Sequence, residues 1–552
     1  MRSRRLDYVA ASVPGEGWLQ PDSRHEVQSD HDAVGLLLVR ARGPHRPRAN
    51  LRRRNLKTGS ALDAAWEEFH LKEAALADWD KLLLLGNMLT TPRHRLRFYR
   101  ESNDVKAARE QARRSPPDAR RAAWKQVTKL SRKDRRDWEE TLMDQALQGD
   151  WTARRTALRS RSQTTWTHHL TSQPQWRERA TEHFESVFYH QCRETVDAEC
   201  KELWLRALRS RTGDPQPVTQ EELREVAGAW QAGKTTGPDG ISYESIRGIL
   251  EHDHWATWLC ELFTGALTTG VVPPEWMKST TVLLPKRPLP LKWGETRPIT
   301  LSSVVLKIMA QVLQKRLGDA LRAQSVVQFA VRGKQVADMT LAVQKLIRVA
   351  EEWGLPLLLA KLDVRMAFDR VSQPKIAALI AGRCQPSSPW EVTTWLHMVQ
   401  AREIHMAIGG EDLLIRQSNG VRQGSPDSPT LFALLNEEAA LQAATDPRGH
   451  RELHTAGDLN LSPGPIPAAL LLFMDDAWVL ALEWRRLQSR VDALSRELLS
   501  IGLTLGPGKT QVLASPSAVP GVLMMDGRAV PPLPPGAVVH ALGTPVAVSY
   551  TH

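Results

Sequence analysis

Apolar positions along this 552-residue chain change their spacing near residue 213. From about Ser60 to about Thr212 they recur at helical intervals. Ala64, Ala65, Trp66, Phe69 and Leu71 precede a Leu82–Leu85 patch. After a break at Pro116-Pro117 come Trp124, Val127, Leu130, Trp138 and Leu142. Apolar residues three and four apart form one stripe of a helix, so these tryptophans are expected in a core. The intervening basic clusters, such as Arg132–Arg136 and Arg154-Arg155, are expected on solvated faces, with an RNA-binding face as the functional alternative. After Gly213-Asp214-Pro215, glycine and proline punctuate short apolar runs and helical stretches, as in an α/β or α+β domain. No internal repeat is present.

Within that second region four stretches matter. Trp276–Lys286 reads as a strand ending in a lysine. Arg297-Pro298-Ile299 precedes an amphipathic helix carrying Val305, Ile308, Met309, Val312 and Leu317. Leu357–Asp363 is a strand delivering a carboxylate at its C-terminal end. Leu470–Leu480 is an apolar run interrupted by Asp475 and Asp476, read as a hairpin with the acid pair at its turn. Buried unpaired carboxylates are costly, so this pair needs a cation or another partner unless the turn is solvent-exposed.

Net charge sharpens the picture. Formal charge is +11 and pI about 9.6, which points to a polyanionic partner, nucleic acid ahead of an acidic membrane surface. Between Asp32 and Asp63 there is no acid, while Arg40, Arg42, Arg46, Arg48, Arg52, Arg53, Arg54 and Lys57 accumulate around Pro44 and Pro47. That stretch is a basic linker suited to phosphate contacts, or simply a solvated one. The four cysteines, Cys192, Cys200, Cys260 and Cys384, form no C-x-x-C pair, which speaks against a zinc knuckle or disulfide framework. No apolar stretch reaches membrane-spanning length, so the expectation is an intracellular protein without a membrane partner.

The remaining chemistry lies in short segments. Gly237-Pro238-Asp239-Gly240 is a tight turn after a helix. Lys286 and Arg297, at the ends of rigid elements, would suit a triphosphate as point charge and bidentate fork, or form surface salt bridges. Gly420–Phe432 is a glycine-bearing loop running into a helix, with Ser428 expected as N-cap and Pro429 in the first turn. Gly502–Thr510 places Lys509 after a turn, and Ala541–Pro545 follows.

In this order the segments G-P-D-G, strand-Lys286, R-P-I, D-x-x-x-x-F-D (Asp363 to Asp369), R-Q-G-x-P-x-S-P, F-M-D-D, G-L-x-L…K-T and L-G are recognisable. From about Gly233 to Pro545 the chain resembles the reverse transcriptase of non-LTR (LINE-type) retrotransposons. The resemblance implies an α+β fold, the fingers and palm of a right-hand polymerase with the thumb largely missing, behind a basic helical region. It also implies RNA-directed DNA polymerase activity with an RNA template, a DNA primer or target, dNTPs and Mg2+ or Mn2+. Asp363 and Asp475 would be the principal metal ligands, with Asp476 beside them and the Val364 carbonyl completing one shell. Phe368 matches the aromatic gate against a ribose 2′-hydroxyl. Gln423 and Gly424 would lie against nucleotide and template, Lys286 and Arg297 would hold the triphosphate, and Lys509 would protonate pyrophosphate. Met474, Ser425 and Asp427 depart from the commoner residues of the family, none at a ligand position. The expected location is the nucleus, with a cytoplasmic RNA-bound stage.

The first 39 residues resemble the C-terminal end of an endonuclease/exonuclease/phosphatase-family domain. R-L-D-Y would supply Asp7, and S-D-H would supply Asp30 and His31. The upstream metal- and phosphate-holding residues of that family have no match here, so an inactive remnant is expected. The expected division is residues 1–39 as remnant, 40–215 as basic linker and helical region, and 216–552 as polymerase, the whole a fragment of a longer reading frame with the last residues appended. The alternatives are a catalytically inactive relic that serves only as an RNA-binding scaffold and, more distantly, a live nuclease using Asp7, Asp30 and His31.

Overall fold

The computed structural model describes residues 15–20, 33–38, 53–72, 76–92, 101–149, 153, 166–189, 193–287, 289–322, 327–331, 333–384, 388–400, 402–409, 411–445 and 470–547. Asp7, Asp30, His31 and Cys192 therefore lie outside the described residues. Along the chain come β1 (Gly15–Gln20) and β2 (Ala33–Leu38), then β3 (Arg54–Leu56), α1 (Ser60–His70), α2 (Asp78–Met88) and β4 (Thr90–Pro92). Two basic helices follow, α3 (Asn103–Arg114) and α4 (Pro117–Leu147). The chain divides into two compact units, one of residues 1–49 and 95–174, the other of residues 50–94 and 175–552.

In the smaller unit β1 pairs antiparallel with β2, Gly15 opposite Leu38 and Gln20 opposite Ala33. Helices α3 and α4 form a hairpin. Ser102 caps α3 by accepting from the Val105 N–H, and its own N–H donates to Asp134 of α4 at 3.0 Å. Val105, Ala112, Val127 and Leu142 supply the buried stripe. Trp124 does not join it and is exposed, contrary to the expectation from spacing. A two-helix hairpin buries one narrow stripe, and the small Ala112 and Val127 already fill it.

The larger unit begins with β3, β4, α1 and α2, and gathers α5 (Trp176–Phe188), α6 (Arg193–Arg209), α7 (Gln220–Gly228), α8 (Tyr243–Leu250) and α9 (Asp253–Thr269). Capping boxes start α7, with Thr219 and Glu222, and α8, with Ser242 and Ser245. Gly270 ends α9 in the left-handed conformation that only glycine adopts cheaply. Phe69, Leu85, Ile246, Trp255 and Phe263 lie in one core with the elements downstream. Helices expected within the basic region thus build this core.

Two four-stranded sheets carry the chemistry-bearing segments. One has the order β6-β5-β8-β9, from β5 (Ser279–Pro285), β6 (Thr296–Ser302), β8 (Arg402–Ile408) and β9 (Glu411–Gln417). Ile404, Met406 and Ile408 on β8, and Leu413 and Ile415 on β9, are buried between exposed neighbours. This period of two follows from the pleat of a sheet packed on one face. The helix α10 (Val304–Arg316) follows β6 and buries Val305, Ile308, Met309 and Val312 as its spacing predicts.

The other sheet has the order β10-β11-β7-β12, from β7 (Leu358–Asp363), β10 (Leu470–Phe473), β11 (Asp476–Ala481) and β12 (Gln511–Ala514). It is covered on both faces, which explains its continuous apolar runs. Leu358, Ala360, Leu362, Leu472 and Val479 face the main core. Leu359, Leu471, Trp478 and Leu480 face a second core with Met339, Val343 and Leu346 of α11 (Val336–Glu352). The hairpin of β13 (Val538–Ala541) and β14 (Thr544–Ala547) adds Val539, Ala541 and Val546 to that second core. Among the described residues no helix is long and apolar enough to cross a membrane.

Candidate active site

The antiparallel pairing of β11 with β7 places Asp476 directly opposite Asp363. Since residues two apart share a face, Lys361, Asp363 and Asp476 project to the same side of the sheet. The hairpin register pairs Phe473 with Asp476, so its two-residue turn is Met474-Asp475 rather than the acid pair expected from sequence. Met474 has φ 54°, left-handed for a residue with a bulky side chain, a conformation that costs on the order of 1 kcal/mol. The turn is fastened from the helix Ser428–Thr445, where Asn436 Nδ2 donates to the Met474 carbonyl at 2.8 Å. Asp475 is thereby fixed at the tip, and Asp476 opens β11.

Asp475 is exposed at the hairpin tip. Its carboxyl is raised above the ordinary range, first by desolvation, then by the neighbouring charges of Asp476 and Asp363, with Arg297 opposing. Asp363 Oδ1 lies 3.6 Å from Lys509 Nζ, and Asp476 Oδ1 lies 3.5 Å from Lys361 Nζ. Lys361 also donates to the His540 carbonyl at 2.7 Å, which ties the acids to the β13–β14 hairpin whose turn is Leu542-Gly543. Thr510 supports Asp363 from behind, its hydroxyl accepting from the Asp363 N–H at 3.4 Å. Val364 bridges Leu505, with Gly506 N–H donating to the Asp363 carbonyl and Arg365 N–H to the Thr504 carbonyl. A Cβ on Gly506 would sit 2.9 Å from Asp363 Oδ2, so a side chain there would push the carboxylate aside.

The expected phosphate-binding residues converge on these acids. Lys286 follows β5 and donates to the Gly294 carbonyl at 2.9 Å. Its ammonium is pushed down by desolvation and by the nearby charges of Lys509 and Arg297, with Asp369 and Asp363 opposing. An ammonium destabilised by neighbouring positive charge is poised to accept an anion. Three cations from β5, β6 and the turn after Gly506 thus stand beside the carboxylates.

The loop bearing Gln423 and Gly424 is clamped between strands. The Gln423 carbonyl accepts from Thr300 N–H of β6 at 2.8 Å. At Gly424, with φ 110°, a Cβ would meet the Thr300 carbonyl at 2.8 Å, so glycine lets the loop lie flat on the strand. Gln423 Nε2 donates to Asp369 Oδ1 at 3.0 Å. Asp369 belongs to the short helix Ala367–Arg370, is buried, and has its carboxyl pushed up to about 7 by burial, with Lys286 and Arg297 holding it lower. Phe368 stacks on Phe432, ring centroids 4.7 Å apart and 26° between planes.

The helix after this loop begins at Ser428 itself, so Asp427, not Ser428, occupies the position before it; the Asp427 carbonyl accepts from Leu431 N–H. The Asp427 side chain turns away to accept from Trp395 Nε1 at 3.0 Å. Its other duty is electrostatic. Arg422 is fully buried, its guanidinium pushed down to about 10 by desolvation with Asp427 opposing, and Nη2 donates to the Met398 carbonyl at 2.8 Å. Gly237 of the G-P-D-G turn abuts the backbone of Ser302 and Ser303, and Asp239 accepts from Ile241 N–H at 3.1 Å. Asp427 and the G-P-D-G turn thus serve packing.

Asn436, Lys361, Thr510 and Asp369 were not singled out by sequence reasoning as site residues. A lysine inside the apolar run Leu357–Leu362 was a visible signal; an asparagine within a helix was not. Among the described residues no group of three His, Cys, Asp or Glu side chains is arranged to hold a metal ion. The expected set therefore does not converge as a closed cage; Asp363 and Asp476 turn to lysines. Magnesium is commonly held through one or two carboxylates together with water and substrate phosphates, so the hard-oxygen donors of Asp475 and Asp363 fit it in kind.

Removing the Asn436 contact gives a direct check on the turn. Asn436→Ala should cost about 1 kcal/mol of stability, one buried hydrogen bond. It should also lower the turnover of any reaction at Asp475 by about 10-fold, readable by thermal unfolding and steady-state rates.

An acid-tipped hairpin thus stands beside a carboxylate-ended strand, with cations flanking both. Residues 284–524 match the family described as reverse transcriptase (RNA-dependent DNA polymerase). This segment is a reverse transcriptase domain, related to those of non-LTR retrotransposons. The chain is 26% identical over 324 residues to the retrovirus-related Pol polyprotein from type-1 retrotransposable element R2 of Nasonia vitripennis, covering 58% of this chain and 28% of that protein. It is 28% identical over 247 residues to the transposon TX1 uncharacterized 149 kDa protein of Xenopus laevis, covering 43% and 18%. The chain thus spans less than a third of the length of these relatives. Apo telomerase from Candida tropicalis, truncated from its C-terminal domain, aligns at 19% identity and TM-score 0.33, covering 52% of this chain and 59% of that one.

Proposed function

We propose that this chain is an RNA-directed DNA polymerase that extends a DNA 3′-end on an RNA template using dNTPs. The observation that carries the reading is the cross-strand pairing of Asp363 with Asp476 and the fixed turn presenting Asp475, beside Lys286, Arg297 and Lys509. In the reaction the primer 3′-oxygen bonds to the α-phosphorus of the dNTP and the α–β phosphoanhydride bond breaks. The proton of the 3′-hydroxyl leaves and pyrophosphate departs.

Reverse transcriptase domains use divalent metals. Asp475 and Asp363 would hold Mg2+ or Mn2+, with Asp476 beside them and the Val364 carbonyl at the strand end. When bound, such an ion supplies Lewis-acid stabilisation of charge on the attacking and leaving oxygens. The protein's own residues do the rest. Lys286 and Arg297 bind and orient the triphosphate, and Lys509, exposed and within reach of Asp363, gives a proton to the leaving pyrophosphate. Phe368, locked by its stack on Phe432, crowds the 2′ position of the sugar. Gln423 and Gly424 line the nucleotide and template side.

The test is primer extension on poly(rA)·oligo(dT) with dTTP and Mg2+. Incorporation should depend on the divalent ion, and equal signal from wild type and Asp475→Ala would sink the reading. The gate gives an independent measurement. Phe368→Val should raise incorporation of UTP relative to dTTP by about 10–100-fold, the range that a few methylene-sized contacts control. An unchanged ratio would remove Phe368 from the sugar site.

A further inference from the structure

Asp369 is an odd residue to bury. An ionised carboxylate in the protein interior costs several kcal/mol unless it is compensated, and asparagine would fill the same space without that cost. What the carboxylate provides that an amide cannot is directionality. An ionised carboxylate only accepts hydrogen bonds, whereas an asparagine offers an acceptor at one end and donors at the other. Asp369 Oδ1 accepts from Gln423 Nε2 at 3.0 Å. The Gln423 amino group must then face inward, and its carbonyl oxygen must face away from Asp369.

The surroundings hold both partners still. Gly420 lies against the Phe368 and Asp369 carbonyls, its N–H donates to the Val371 carbonyl, and Val421 N–H donates to the Phe368 carbonyl. From the other side, Ser418 and Asn419 N–H both donate to the Phe188 carbonyl, at 2.9 and 3.0 Å, and Arg370 donates to the Ser186 carbonyl at 3.4 Å. The end of α5 therefore braces the loop and the Phe368-Asp369 segment together. The charged groups whose fields reach Asp369 are Lys286, after β5, and Arg297, on β6. These are the two residues assigned to the triphosphate.

We propose that Asp369 is a positioning residue for nucleotide selection, fixing the Gln423 carboxamide with its carbonyl oxygen presented to the incoming nucleotide. The proposal rests on the polymerase reading for what Gln423 faces, but the orientation itself is a property of this chain. Lys286 and Arg297 hold the Asp369 carboxyl lower than burial alone would, and once it ionises above about pH 7 the acceptor-only partner admits one orientation of the amide. Protonation would let Asp369 donate to the Gln423 oxygen and release it.

Two measurements on the full chain test this separately. In the first, glutamine side chains carry 15N and the Gln423 amide signal is identified by its loss in Gln423→Ala. That signal should move with pH with a midpoint near the value of about 7 to which burial raises Asp369, and should stop moving in Asp369→Asn. A Gln423 signal that behaves identically in both proteins overturns the proposal, whether or not the chain polymerises.

The second measurement is extension on poly(rA)·oligo(dT). Asp369→Asn should raise KM for dTTP about 10-fold with a smaller change in kcat, at unaltered thermal stability. The fall in kcat/KM as pH drops through about 7 should vanish in the variant. The double variant Asp369→Asn/Gln423→Ala should be no worse than Gln423→Ala alone, because a residue acting through another is non-additive with it. Additive losses overturn the proposal. A wild type silent on this template counts against the polymerase reading, while the amide signal still decides the role of Asp369.

Discussion

Asp475→Asn is expected to lower primer extension by about 10³-fold while leaving the protein at least as stable as wild type. The catalytic part follows from charge. Asparagine keeps the size of the side chain and one oxygen but loses the anion that a divalent cation requires. A loss of roughly 4 kcal/mol of transition-state stabilisation, within the several kcal/mol attributed to a metal centre, corresponds to about 10³ in rate. The stability part follows from the direction of the Asp475 shift. Partial desolvation, Asp476 and Asp363 raise its carboxyl above the ordinary value, so near neutral pH its charge is a cost to the fold, small because the residue is exposed. For a carboxyl with a raised folded value, that cost is present above the unfolded pKa. It disappears as pH falls below that value and both states become protonated. Asparagine removes the cost at neutral pH. Thermal unfolding at pH 7 and again near pH 4 checks the sign: the Asp475→Asn variant should match or exceed wild type at pH 7, with the gap narrowing in acid. A variant equally active, or markedly less stable at pH 7, would mean that the acid serves the hairpin rather than the chemistry.

What the chain disclosed in advance was local. Alternating and continuous apolar runs marked β7, β10 and β11, and the helix after Arg297-Pro298-Ile299 buries the face its spacing implied. Register was less legible. The acids were expected together at a turn, but a two-residue hairpin has room for only one, and the second becomes the first residue of β11. Turn type and register depend on the strand pairing, and here the carbonyl of Met474 is held by a helix 38 residues away in sequence. The same reason hid the partners of Lys361 and Asp369, which lie on other strands or loops. At Asp427 local preference gave way to tertiary context. Serine is a good N-cap, but the helix starts one residue early because Asp427 is drawn to Trp395 and the buried Arg422.

The largest structural effect should come from Gly420→Ala. Gly420 has φ 80°, a left-handed conformation strained for alanine. A Cβ there would lie 2.5 Å from the Asp369 carbonyl oxygen and 2.7 Å from both the Asp369 carbonyl carbon and the Phe368 carbonyl oxygen. All three are backbone atoms, so no rotamer change relieves the clash. The backbone cannot shift without loss either, because Gly420 N–H donates to Val371 at 2.7 Å and Val421 N–H to Phe368 at 2.8 Å. Conformational strain of about 1 kcal/mol adds to an overpacking cost of about 1–3 kcal/mol. The loop carrying Gln423 would move away from Asp369, so extension should fall even at temperatures where the protein remains folded. Gly508→Ala is the matched control. It neighbours Lys509, yet a Cβ there meets nothing within 4 Å. The two alanine variants should therefore separate clearly, with Gly420→Ala several degrees lower in Tm and Gly508→Ala close to wild type. Similar melting of the two would show that the loop yields where the packing says it cannot, and would loosen the link between this glycine and the placement of Gln423.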